Sequence, residues 1–197
     1  MATSMDKSTA MNINPYYISQ RGIDLINSYK SQIDTVISKY ETGRTLNCFH
    51  GIRPTIPSSQ YPCFEIETST IDTEWATTRG QRHNISFKCL VTISCSKIDF
   101  REEYLLKVTS AIISILQDPK NLRFQINCET PMTETPYILS IYDSMVNSVS
   151  YSTREGTIGI GDFMWNTKVH ETIPDINFSC VPDQNPGIVT PIIKDIR

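Results

Sequence analysis

Residues 83–96 read HNISFKCLVTISCS, which places His83, Ile85, Phe87, Cys89, Val91, Ile93 and Cys95 on one side of an extended chain. Asn84, Ser86, Lys88, Thr92, Ser94 and Ser96 fall on the other side, and only Leu90 breaks the alternation. Successive side chains of a strand point to opposite faces, so this is a long strand with one buried and one wet face, as in an antiparallel sheet. A helix is predicted directly after it. Asp99 stands at its cap and Glu102 at the capping-box position. Phe100, Tyr104, Leu105, Val108, Ala111, Ile112, Ile115 and Leu116 form one apolar stripe before Asp118-Pro119 ends the helix.

Working outward, the run from Gly22 to Tyr40 carries Ile23, Ile26, Tyr29, Ile33, Val36, Ile37 and Tyr40 at helical spacing, with Gly43 as a stop. Residues 43–62 hold Gly43, Gly51, Pro54, Pro57 and Pro62 and read as a loop. Tyr61 to Glu67 reads as a strand, and Thr68 to Arg82 as a long hairpin connection with Trp75 in its middle. Leu122 to Asn127 is a short strand, and Glu129 to Pro136 a loop. The segment Tyr137 to Ser152 recurs on one face at Ile141, Met145, Val149 and Tyr151, and turns at Arg154-Glu155-Gly156 into a return strand, Thr157 to Glu171. In that strand Phe163, Trp165 and Val169 share a face, and Gly159 and Gly161 mark a bulge or the close approach of a neighbouring backbone. Helix, hairpin, helix, hairpin is an α+β order: an antiparallel sheet of about four main strands with two helices on its apolar face. Residues 1–14 form a flexible N-terminal segment, residues 15–171 one domain, and the proline-punctuated residues 172–197 an extended C-terminal arm.

At 197 residues with 18 basic and 21 acidic side chains, the chain fits one core, and a net charge of -3 without a basic run argues against a grip on nucleic acid. No stretch approaches the roughly 20 apolar residues of a membrane span and no signal peptide opens the chain, so synthesis and residence in the cytosol are expected. The six cysteines, Cys48, Cys63, Cys89, Cys95, Cys128 and Cys180, lack ligand spacing. Cys89 and Cys95 share a strand face but lie about 20 Å apart at ~3.3 Å per residue, too far for a disulfide or a shared ion. Cys48 and His50 could touch a metal together, yet no CxxC or HxxxH completes a site, so no metal and no cofactor is expected.

Residues 156–162, GTIGIGD, imitate a phosphate loop, but the glycines sit in a strand pattern with no helix following. His50, His83 and His170 accompany no GxSxG elbow. Glu65 and Glu67 share a strand face, and with His83 they define the one enzyme site the residues allow, as an alternative to a non-enzymatic role.

The order of elements, with YPCFEIE at residues 61–67, the long strand with its helix at 99–117, and YDSMVNSVSYSTREGTIGIGDFMW at 142–165, resembles the tail-terminator or tail-completion proteins of long-tailed bacteriophages. The likeness covers roughly residues 20–171, in diffuse strand patterns without a catalytic signature, and other neck or head-completion rings of the virion share it. It implies a structural virion protein in the tail or neck, assembled in the host cytoplasm as a hexameric ring. Its implied partners are the tail-tube protein and the head-completion or connector protein, with the tail sheath or tape-measure end as further neighbours. Genomic DNA would pass through the lumen without specific binding.

Within that expectation, Trp75 flanked by Glu74, Arg79 and Arg82 is the candidate partner interface, although the same tryptophan could equally tuck onto its own sheet. A sheet edge at residues 159–171, with Gly159, Gly161 and Trp165, and the arm, with Phe178, Val181 and Ile192, are the candidate contacts between subunits. A soluble partner-binding module outside any virion is the remaining alternative.

Overall fold

The computed structural model describes residues 14–77, 80–95, 97–122, 125–130, 133–154 and 156–172. The expected N-terminal segment up to residue 13, Arg79, and the arm beyond Thr172 with Phe178, Val181 and Ile192 lie outside them.

The first amphipathic run forms two helices rather than one, α1 (Tyr16–Ser28) and α2 (Lys30–Ser38), separated at Tyr29, whose φ of -101° and ψ of 9° leave the helical region. Asn14 Oδ1 accepts the Tyr16 N–H at 3.0 Å and satisfies one of the free amides at the start of α1. Strand β1 (Asn47–His50) runs parallel to the start of β2 (Cys63–Thr77), which pairs antiparallel with β3 (Gly80–Ser94). Helix α3 (Ile98–Gln117), the short α4 (Pro119–Leu122), β4 (Gln125–Thr130), β5 (Thr133–Arg154) and β6 (Ile158–Thr172) complete an α+β fold. The sheet order is β1-β2-β3-β6-β5-β4.

The decisive stretch lies in β3 with its two faces as read: Ile85, Phe87, Cys89, Val91 and Ile93 are buried, while Asn84 and Lys88 are exposed. The helices cover that buried face. From α3, Tyr104, Leu105, Val108, Ile112 and Leu116 join Phe64, Ile66, Phe163, Trp165 and Val169 of the sheet in one core with Ile18, Ile26, Ile33 and Ile37 of α1 and α2.

Several expectations are corrected. Helix α3 begins at Ile98 with Lys97 at its cap and no side-chain cap bond, so Asp99 does not cap it, and Phe100 is half exposed instead of joining the stripe. Helix α3 does end at Gln117, because Asp118 turns to ψ 119° ahead of Pro119. Residues 119–122 are helical, and β4 starts only at Gln125. The supposed connection from Thr68 to Arg82 is mostly strand, with β2 running to Thr77 and β3 starting at Gly80. Two bulges in β5, between Ile141 and Asp143 and between Asn147 and Ser150, alter the alternation, so that Ile141 faces the helices while Met145 faces away. The turn at Gly156 is as read and takes φ +66°, a value that favours glycine.

Candidate functional site

The strand expected to present an edge to a neighbour does not do so: β6 lies inside the sheet, paired on one side with β3 and on the other with β5. Its glycines serve the helix above. A Cβ on Gly161 would lie 2.7 Å from Thr109 Oγ1 of α3, and one on Gly159 would lie 3.1 Å from Ile93 Cγ1 and 3.3 Å from Leu105 Cδ2. Trp165 is 1 % exposed and belongs to the core of its own chain. Its Nε1–H donates to Ser144 Oγ at 2.6 Å, and that hydroxyl donates to the Leu116 carbonyl at 2.9 Å. A strand hydroxyl thereby satisfies a carbonyl at the end of α3 that has no partner within the helix.

The enzyme grouping of His83 with Glu65 and Glu67 is also not assembled. Glu65 pairs with Leu90 and lies on the outer side of the sheet, where its Oε1 accepts the Arg53 N–H at 2.7 Å. Burial pushes its carboxyl above the ordinary value, while the Arg53 amide pulls it partly back. His83 lies on the helix side with no exposed surface. Its Nε2 is 2.7 Å from Glu171 Oε2 and its Nδ1 is 3.0 Å from Thr73 Oγ1. Both ring nitrogens are therefore occupied by strands β2 and β6, and the triplet pins three neighbouring strands together. Glu171 stands 88 residues from His83, a pairing that no local motif announces.

The cysteines of β1 and β2 are protonated thiols: burial pushes Cys48 up to about 11 and Cys63 up to about 12. Among the described residues no group of three His, Cys, Asp or Glu could hold a metal ion, and no helix is long and apolar enough to cross a membrane.

What the fold leaves open is surface. Among the described residues no α-helix packs on the outer side of the sheet, which bears cross-strand pairs: Lys88 Nζ to Asp162 at 3.5 Å, Lys168 Nζ to Asp143 at 2.8 Å, and Ser86 Oγ to Asn166 at 2.6 Å. The Lys168 ammonium holds the Asp143 carboxyl below its usual range. Glu74 pairs in register with Arg82 on this side, both exposed. Trp75 stands opposite Gln81 near the end of β2.

Two edges are open as well. β1 covers β2 only from Cys63 to Ile66, and β4 covers β5 only up to Ser140. Among the described residues no further strand pairs with β2 from Glu67 to Thr77 or with β5 from Tyr142 to Arg154, although Gly51 N–H bonds the Ile66 carbonyl at 2.8 Å and Gln117 Nε2 donates to the Val146 carbonyl at 3.5 Å. These stretches hold most of the exposed large apolar side chains: Ile71 on β2, and Tyr142, Met145, Val149 and Tyr151 on β5. Tyr151, Ser152 and Thr153 also line a shallow depression with Arg101, Glu102 and Leu105 of α3. Neither edge was visible as such in the sequence, because openness is a property of the neighbours a strand lacks.

No family model matches the chain, and no curated protein matches it. Among solved structures, it is similar to a chain of the virion of a native gene transfer agent particle, at a TM-score of 0.39 and 7% sequence identity, covering 76% of this chain and 91% of that one.

Proposed function

We propose that this chain is a structural virion protein, a ring subunit that terminates a phage tail tube and joins it to the head connector. The observation that carries the reading is the division of the sheet. One face is closed by helices, while the other face and two long edges, with their exposed Ile71, Tyr142, Met145, Val149 and Tyr151, are left for contacts with other molecules. A subunit that must touch like neighbours on both sides needs two different open surfaces, since a heterologous interface closes a ring only by joining unlike patches. The resemblance carried by residues 61–67, 99–117 and 142–165 supplies the particular role.

The test is genetic and visual. Particles assembled without this chain should show tails of uncontrolled length that fail to join heads, and a tag on the chain should label the head–tail junction. Label at the junction with tails of normal length would favour a head-completion ring instead. Normal virions formed without the chain would overturn the structural role.

A further inference from the structure

We propose that the sheet guards its own open edge: the residue inserted at Ser148–Val149 breaks β5 into two short ladders, so that the free chain does not take up a further strand there. The inference concerns the chain before it meets any partner and stands apart from the ring reading.

A strand without an outer partner shows a row of unpaired N–H and C=O groups, and that row templates the addition of another chain unless something spoils its regularity. β5 has such a stretch from Tyr142 to Arg154, and β2 has one beyond Glu67.

The places where the ladders are irregular answer this problem. The inner strands β3 and β6 pair through fifteen successive residues, from Gly80 opposite Thr172 to Ser94 opposite Ile158, with no shift. The strands with open edges differ. β2 carries an extra residue against β3 at Ser69 and another at Ala76. β5 carries one against β6 at Tyr142, and another where Ser148 and Val149 together stand across from Phe163. A bulge leaves a residue out of the ladder, bends the strand and steepens its twist. The second bulge of β5 falls in the middle of its open stretch, with Tyr142 to Asn147 on one side and Ser150 to Arg154 on the other. Neither piece is a long, flat template.

Tolerance of irregularity at an edge does not by itself account for this bulge. Ser148 takes φ +54°, as no other non-glycine among the described residues does, in the left-handed region where a Cβ is crowded and glycine is favoured. Pairing with β6 does not require the extra residue. Without Ser148, Val149 would stand opposite Phe163 on the helix side, between Asn147 and Ser150 on the outer side, and every other pair would keep its register. The bulge thus carries a conformational cost that the inner neighbour does not offset, and what it does give is an edge unfit for strand addition. β2 adds the other common protection, charge, with Glu67, Asp72 and Glu74 exposed along it.

The test straightens the edge. The full chain with Ser148 deleted should keep the wild-type near-ultraviolet circular dichroism yet self-associate, its half-association concentration in sedimentation falling by about tenfold or more, with slowed amide exchange over residues 142–154. Ser148→Gly keeps the extra residue while easing its φ, and should associate no more than the wild type. A folded deletion variant that associates no more than the wild type would overturn the guard, as would association that protects other segments and leaves 142–154 unchanged. If Val149 is not accommodated against Phe163 and that variant does not fold, deleting Val149 instead sets the smaller Ser148 there and puts the same question. The wild type supplies an arm that needs no variant. Its amide exchange over 142–154 should be the same in dilute and concentrated solution, and protection that grows with concentration would overturn the proposal.

Discussion

On its helix side the sheet is closed by contacts that tolerate no added atom, whereas on its outer side, away from the buried Cys63, Glu65 and Thr92, and along β2 and β5 the same strands meet solvent. Gly22 of α1 sits so close to Trp165 that a Cβ would lie 2.8 Å from Cζ3, and Gly161 stands in the same relation to Thr109. Opposite them, Lys168, Asp143, Lys88 and Asp162 pair at the surface with side chains roughly half exposed. The helix side supplies most of the buried apolar contacts, and the exposed part of the outer side supplies few. Substitutions should therefore have large effects on stability on one side and small ones on the other.

The largest effect is expected from Trp165→Ala, which empties a buried indole site and leaves Ser144 Oγ without its donor. Unfolding in urea should show a loss of about 3–5 kcal/mol. A loss below 1 kcal/mol would mean that the helix layer is looser than the distances imply. Gly161→Ala comes next, at about 1–3 kcal/mol from overpacking against Thr109. Removing the clashing hydroxyl with Thr109→Ala in the same chain should return part of that loss, and strictly additive losses would place the strain elsewhere.

Glu65→Gln is a smaller, pH-dependent test on the outer side. The buried carboxyl holds its proton more tightly folded than unfolded, since burial raises it above the ordinary 4.5. The wild-type chain thus gains relative stability as pH falls, and loses it as pH rises through the raised folded value. Glutamine keeps an acceptor for the Arg53 N–H without the charge, so the variant should match the wild type in acid and exceed it at neutral pH in thermal melts. A difference independent of pH would show that Glu65 is held by something other than burial. Lys168→Ala should change stability least, within about 0.5 kcal/mol, as surface ion pairs do.

The same division explains what could be read beforehand. β3 and α3 were legible because a strand with one buried face and a helix with one buried stripe each write their period into the chain. β2 beyond Glu67 was not. Thr68, Ser69, Thr70, Asp72 and Thr73 are polar on both faces, as befits a strand with a free edge, and the bulge between Thr68 and Thr70 shifts the parity. Gly159 and Gly161 look like interruptions in sequence, yet they are the places where α3 settles on an inner strand. The open edges depend on how far β1 and β4 extend along their neighbours, which no property of β2 or β5 alone encodes.

The bond from Trp165 Nε1 to Ser144 Oγ, with its continuation to the Leu116 carbonyl, ties the indole of the inner strand to the end of α3 through β5. Ser144 lies on β5, so any movement of α3 against this strand would shift the hydroxyl that the indole holds. The emission of a buried, hydrogen-bonded tryptophan responds to such a shift, so in a Trp75→Phe chain the seating of α3 on the sheet could be followed by light without attaching a label.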